Sequence, residues 1–150
     1  MTSLESNITK LINGLKKIDM VDIALKATYN YEAEIIDTVT EDQLFDKGID
    51  GTGKKIEPSY TLFTQEIKKE KGHPTNRVTL KDTGDFYDSI FMEKTKFPIF
   101  LNARDKKTSK IAEKYGEFVL DLTKDNKDQI VQDYIKEDIQ EAFRKAYEAI

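Results

Sequence analysis

The sequence predicts an α+β fold dominated by helices, with long N-terminal and C-terminal helices around a small antiparallel β segment. Apolar residues recur at spacings of three and four through most of the first 47 residues and again from Ile130 to Ile150, the pattern of amphipathic helices. Between these stretches, glycines and prolines divide the chain into short pieces that no long helix can span. Within Phe91 to Ala103, the run Phe97-Pro98-Ile99-Phe100-Leu101 follows Thr95-Lys96 and reads as one of two short strands joined by a turn.

Leu4, Ile8, Leu11, Ile12, Leu15 and Ile18 form the stripe of a first helix, with Ser3 placed to cap it and Ser6 where a capping box usually has Glu. Gly14 weakens this helix and Asp19 starts a second. Its apolar positions Val21, Ile23, Ala24, Ala27, Tyr31, Ile35, Ile36, Val39 and Leu44 run to about Lys47 without a proline, which predicts one long helix. Gly48-Ile49-Asp50-Gly51-Thr52-Gly53 supplies the backbone freedom that ends it. Pro58 is expected to open a helix through Tyr60, Phe63 and Ile67 to about Glu70, closed by Lys71-Gly72-His73-Pro74. Residues 75–80 read as a loop or short extended piece. Asp82 or Thr83 is placed to cap a short helix through Phe86, Tyr87 and Ile90. Thr108 or Ser109 caps a helix containing Ile111, Ala112 and Tyr115, interrupted by Gly116, and Phe118-Val119-Leu120 is a strand or an extension of it. Asp125 or Asp128 caps the last helix. Its broad stripe, from Ile130 and Val131 through Tyr134, Ile135, Ile139 and Phe143 to Tyr147 and Ile150, is expected to pack in the core. We read the whole as one domain: a helical part over 1–47, an α+β centre over 48–122 and a terminal helix over 123–150.

Composition narrows the function classes. A 150-residue chain buries roughly two-thirds of its unfolded surface, and 38% hydrophobic with 35% charged residues is a globular balance. No apolar run approaches the ~20 residues of a membrane span. Met1-Thr2-Ser3-Leu4-Glu5 lacks the basic region and apolar stretch of a signal peptide, so synthesis in the cytoplasm is expected. The absence of cysteine and the single His73 exclude disulfides, thiolate sites and His clusters, so no metal or cofactor is predicted. His73 itself is expected in an exposed loop. The net charge of −4 conceals an asymmetry: the first fifty residues and the tail from Asp121 are acidic, whereas Lys54-Lys55, Lys68-Lys69-Lys71 and the stretch from Lys94 to Lys114 are basic. That distribution suits head-to-tail packing of identical subunits into a closed ring.

Two motifs invite chemistry. Asp82-Thr83-Gly84 matches half of an aspartic-protease site, which needs a homodimer because its two carboxylates share one proton. Lys81, Asp85 and Asp88 crowd that site, no flap-like segment follows, and the flanks are helical. Gly48, four residues, then Gly53-Lys54 matches a P-loop, but Lys55 replaces the magnesium-binding hydroxyl and the run follows a helix instead of a strand. Asp46 and Asp50 lack the alternating spacing of a calcium loop. As residues alone, Leu80, Asp82, Thr83, Gly84, Phe86, Ser89 and Ile90 make a capped turn with apolar anchors and require no catalysis.

The order of these features resembles the tailed-bacteriophage family of tail-completion and head-tail connector (neck) proteins. The signature is a leucine, a short gap, Thr-Gly, a bulky apolar residue and then Ser-Ile, carried here by Leu80, Thr83, Gly84, Phe86, Ser89 and Ile90. Gln43-Leu44-Phe45-Asp46-Lys47-Gly48 and Tyr115-Gly116 also look like related virion proteins, including those of crAss-like phages. The resemblance implies a non-enzymatic homo-oligomeric ring, sixfold or twelvefold, in the neck of the virion. It would contact the portal and other neck or tail proteins and pass DNA through its centre without reading sequence. Lys54, Lys55, Lys68, Lys69 and Lys71 are the candidate subunit interface. The alternative is a helix-rich interaction or regulatory module whose Lys54 to Lys81 region docks an acidic partner, with the dimeric protease third.

Overall fold

The computed structural model describes residues 3–94 and 97–150. Helices dominate, and the sheet has two antiparallel strands. α1 (Ser3–Leu15) comes first and includes Ser3, the residue expected to cap it from outside the helix. Asp19 starts α2 (Met20–Tyr29) as its composition demands, its carboxylate accepting the Asp22 N–H.

The single helix expected from Asp19 to Lys47 is instead two. It breaks at Asn30-Tyr31, where the Asn30 amide and the Tyr31 hydroxyl both donate to Asp138, at 3.3 and 3.0 Å. The second piece, α3 (Glu32–Asp37), runs on without a break into a π-helical segment, Thr38–Lys47. Thr38 and Thr40 donate their hydroxyls to the carbonyls of Glu34 and Ile36, competing with the amides that would normally bond there. The wider turn brings Val39, Thr40, Gln43 and Leu44 all inward. Gly48, at φ +62, ends the helix, and a Cβ on it would meet that of Arg77 at 2.7 Å.

The next helix, α4 (Leu62–Glu70), starts later than expected: Thr61 caps it, its hydroxyl accepting the Thr64 N–H, so Pro58 and Tyr60 lie before the helix. α5 (Asp85–Asp88) is one turn, and Ile90 belongs to β1 (Ile90–Met92), not to that helix. β1 pairs with β2 (Leu101–Ala103) in the register Phe91 opposite Asn102. The predicted turn at Thr95-Lys96 lies outside the described residues. α6 (Thr108–Tyr115) lacks the predicted side-chain cap, because Thr108 donates back to the carbonyls of Ala103 and Asp105. Gly116, at φ +97, ends α6, and Phe118 to Leu120 lie in a 3-10 turn instead of a strand. The last helix is capped by Thr123, not by Asp125 or Asp128. It comprises α7 (Lys124–Ile130), a π segment Val131–Ile135 and α8 (Lys136–Glu148).

The core has two parts. Val39, Leu44, Ile56, Val78, Phe86, Tyr87 and Ile90 centre one, and Ala27, Ile35, Met92, Ile130 and Ile135 the other. Glu32 fastens the hairpin to α3, accepting the Met92 N–H at 3.2 Å and pairing with Lys94. The final helix departs from its expected burial: Ile130 and Ile135 are inside, while Val131, Tyr134, Phe143, Tyr147 and Ile150 remain exposed.

Gln43 joins the two halves of the chain. Its side chain is fully buried; Nε2 donates to the Asp121 carbonyl at 2.9 Å, and Oε1 accepts from the Thr123 N–H at 2.9 Å and the Asn126 amide at 2.8 Å. Gln43→Met keeps the bulk but orphans these groups, at about 1–3 kcal/mol for each buried one. The urea midpoint is therefore expected to fall by the equivalent of ~2–4 kcal/mol with an unchanged slope. Exposed Glu41→Gln on the same helix should stay within about 0.5 kcal/mol of the parent.

Candidate functional site

The segment from Arg77 to Ile90 is the most densely anchored stretch of the surface. It begins with the Arg77 Nε donating to the Phe45 carbonyl at 2.8 Å. Val78 and Thr79 are buried. The Tyr60 hydroxyl accepts from the amides of Thr79 and Leu80 at 3.0 and 3.3 Å, and the Tyr87 hydroxyl donates to the Thr79 carbonyl. Burial pushes the Tyr87 phenol well above its ordinary pKa, keeping it a donor. Two tyrosines thus hold both edges of one peptide segment. Leu80 sits there at φ +60, a left-handed conformation that costs a residue with a Cβ roughly 1–2 kcal/mol; the Tyr60 bond to its amide helps to hold it.

The Asp82-Thr83-Gly84 triplet follows as a turn. The Thr83 hydroxyl accepts the Asp85 N–H at 3.2 Å, and Gly84 adopts φ +99. Phe86 and Ile90 enter the core. The Ser89 hydroxyl donates to the Phe86 carbonyl at 2.8 Å and accepts the Asp105 N–H at 3.1 Å, tying the turn to the end of the hairpin. Asp82 caps nothing: its carboxylate pairs with Lys71 at the surface. The Lys71 hydrogen bond, outweighing the opposing effect of burial, lowers the Asp82 pKa. A carboxylate held in its charged form is poorly suited to sharing a proton with a second one.

The candidate lysines separate. Lys68 is 7% exposed and donates to the Lys81 carbonyl, with its ammonium 5.2 Å from the Tyr60 ring centroid, so it belongs to the interior of its own chain. Lys71 is engaged by Asp82. Lys54, Lys55 and Lys69 are exposed, and no ion pair among the described residues holds them. In the glycine loop, the Thr52 amide donates to the Asp50 side chain, the Gly53 amide to the Asp50 carbonyl and the Gly51 amide to the Phe118 carbonyl. Amides that a phosphate would need are thus already engaged. Gly51 is pressed against Asp121, where a Cβ would meet the Asp121 Cβ at 2.3 Å. His73 is half-buried, contrary to expectation, and its Nδ1 is enclosed without a hydrogen-bond partner. No group of His, Asp or Glu able to hold a metal is found among the described residues.

Outside this segment lie two charged ridges. Glu34, Asp37, Glu41, Asp42 and Asp46 are exposed along the helix from Glu32 to Lys47, opposite its buried face. Lys107, Lys110 and Lys114 recur at helical spacing along α6, with Lys106 beside them, all exposed. No ion pair among the described residues neutralises either ridge. Tyr60, Tyr87, Gln43 and Asp138 were not predicted as anchors. Their partners lie 8 to 108 residues away in sequence, so no local pattern marks them.

No family model matches the chain, and no curated protein or solved structure matches it.

Gly84 and Asp82 are expected to respond oppositely to substitution. The space around Gly84 is open, the nearest atom being an Asp88 oxygen at 4.0 Å, so Gly84→Val suffers from the backbone dihedral alone. A loss of about 1–2 kcal/mol should lower the melting temperature by roughly 2–4 °C per kcal/mol. Asp82→Asn should be nearly neutral at pH 7, since both partners of the ion pair are about half exposed and exposed pairs contribute little. Its pH dependence has a definite sign. The depressed Asp82 pKa gives the parent a contribution present above the ordinary 3.8 and lost as the pH falls through the lowered value. The parent and Asp82→Asn melting curves should therefore converge in strong acid.

Proposed function

We propose that this chain is a structural subunit of a tailed-phage virion, forming a ring in the neck between portal and tail. Its roles there are head-tail joining or tail completion and passage of DNA. The observation that carries the reading is the uncovered surface. α1 buries none of its residues, the outer half of the last helix leaves Phe143, Tyr147 and Ile150 open, and the acidic and basic ridges lack intrachain ion pairs among the described residues. Exposed apolar surface on this scale belongs to proteins that associate, and two ridges of opposite sign suit a head-to-tail contact between copies.

The signature residues are compatible with this role. Leu80, Thr83, Gly84, Phe86, Ser89 and Ile90 act through dihedrals, hydrogen bonds and burial, as a scaffold requires. The contact surface on the basic side comprises Lys54, Lys55 and Lys69 together with the α6 ridge; Lys68 and Lys71 are engaged within the subunit.

Mass photometry and electron microscopy, with the protein alone and with portal complex, should give a closed ring of six or twelve copies. Raising the salt to ~1 M shrinks the screening length from ~10 Å at 0.1 M to ~3 Å and should weaken the association. A strict monomer that binds no virion component would overturn the proposal. Monomers that bind one acidic protein through Lys54, Lys55 and Lys69 would favour an interaction module instead.

A further inference from the structure

α1 poses a physical problem in the isolated chain. A helix of 13 residues is marginal in water unless something covers its apolar face. Here little does beyond its C-terminal end: Leu4 is 69% exposed, Ile8 and Ile12 are also open, Leu11 and Leu15 are more than a third exposed, and no α1 residue is buried. At its C-terminal end the helix meets the body at Gly14, whose missing Cβ lets Ile150 approach to where that atom would stand.

The same chain carries an unfilled concave feature. Between the hairpin and the π segment of the last helix lies a groove of about 360 Å³ with a floor that includes Met92, Ile130 and Ile135. Phe97, Phe100 and Val131 stand exposed around it. Among the described residues one acidic side chain, Asp121, and one basic side chain, Lys127, line it, so the groove carries no charge excess of its own.

We propose that α1 is an arm whose apolar stripe lies in this groove of the next copy, so that each subunit gives an arm to one neighbour and receives one from the other. The inference deepens the ring reading and rests on it by naming the contact that links successive subunits. Leu4, Ile8, Leu11 and Leu15, spaced four, three and four, are the anchors of a helix laid in a groove. The groove's volume falls in the ~300–1,000 Å³ range of sites that enclose ligands, room for several aliphatic side chains. The five exposed side chains of the stripe offer on the order of 400 Å², about half of one partner's ~800 Å² share of a standard interface. The charged ridges supply the remainder. Transfer of the arm is heterologous, as a closed cyclic ring requires.

Two variants separate this arrangement from its competitors. The double variant Ile8→Asp/Leu11→Asp disables the arm, and Phe100→Asp disables the groove. All three side chains are exposed, so each variant should keep a cooperative melt and its near-ultraviolet circular dichroism. By sedimentation velocity, each variant alone should lose association by at least about tenfold relative to the parent, the scale of a factor of ten per ~1.4 kcal/mol. An equimolar mixture should form a heterodimer and stop there, because one intact arm meets one intact groove and the remaining pair is dead. Normal association of Phe100→Asp would indicate α1 pairing with α1 in a coiled coil and would overturn the proposal. Normal rings from the arm variant would also overturn it while leaving the ring reading intact. A parent that never associates, even with portal complex, would remove both. Flotation of the parent with phosphatidylglycerol vesicles, abolished in the arm variant, would assign the stripe to a lipid surface and refute the exchange.

Discussion

The buried carboxamide of Gln43 is the interaction on which the rest of the structure depends. An amide side chain removed from water needs its hydrogen bonds replaced in full, and here one residue meets that need with three partners from Asp121 to Asn126. Those partners start the last helix, and Gln43 sits in the π segment of an early one. The junction fixes where the C-terminal helix begins and at what height it crosses the core. Its own backbone carbonyl accepts from Ile49, so the glycine loop is positioned by the same residue. Gly51 then packs on Asp121 from the other side, at a distance no Cβ would tolerate. The absence of a side chain at Gly51 thus has a packing role that the superficial likeness to a phosphate loop conceals.

With that junction set, the segment from Arg77 to Ile90 can be held as a rigid surface feature. Tyr60 reaches it from the approach to α4 and Tyr87 from α5, on opposite edges of the Thr79 peptide. The buried Lys68 supports it from α4, its charge met by the Lys81 carbonyl and the Tyr60 ring. Lys81 in turn lies over the rings of Phe45 and Tyr87, at 4.9 and 5.6 Å, which favours a cation near a ring face. The basic cluster that looks uniform in sequence is therefore divided: Lys68 and Lys71 are engaged within the chain, whereas Lys54, Lys55 and Lys69 are exposed.

What remains uncovered has a consistent character. The inside of the molecule is satisfied in nearly every polar group described, His73 Nδ1 being an exception, while the outside carries apolar stripes and unpaired charge in blocks. The ring proposed above accounts for both. The individual fold is held by long-range hydrogen bonds and two modest clusters.

Much of the architecture was legible in the sequence because it follows from local chemistry. The helical stripes, the Asp19 cap, the left-handed glycine stop at Gly48, the hairpin and the break at Gly116 each depend on residues within a turn or two of one another. The break at Asn30-Tyr31 was not legible, because the carboxylate that receives both side chains belongs to Asp138. The cap at Thr123 was hidden by two equally good aspartates nearby, and tertiary hydrogen bonds to Gln43 decided between them. The positive φ at Leu80 has no sequence mark at all, since nothing in a leucine favours it. Tyr60 and Tyr87, with Lys68 on the adjoining Lys81 carbonyl, hold the segment there. In the same way, the sequence showed that charge is uneven, but folding decided that Lys68 turns inward while Lys54, Lys55 and Lys69 remain at the surface. Periodicity and capping are properties of a short stretch of chain; burial, partner choice and backbone strain are set by what the rest of the chain brings alongside.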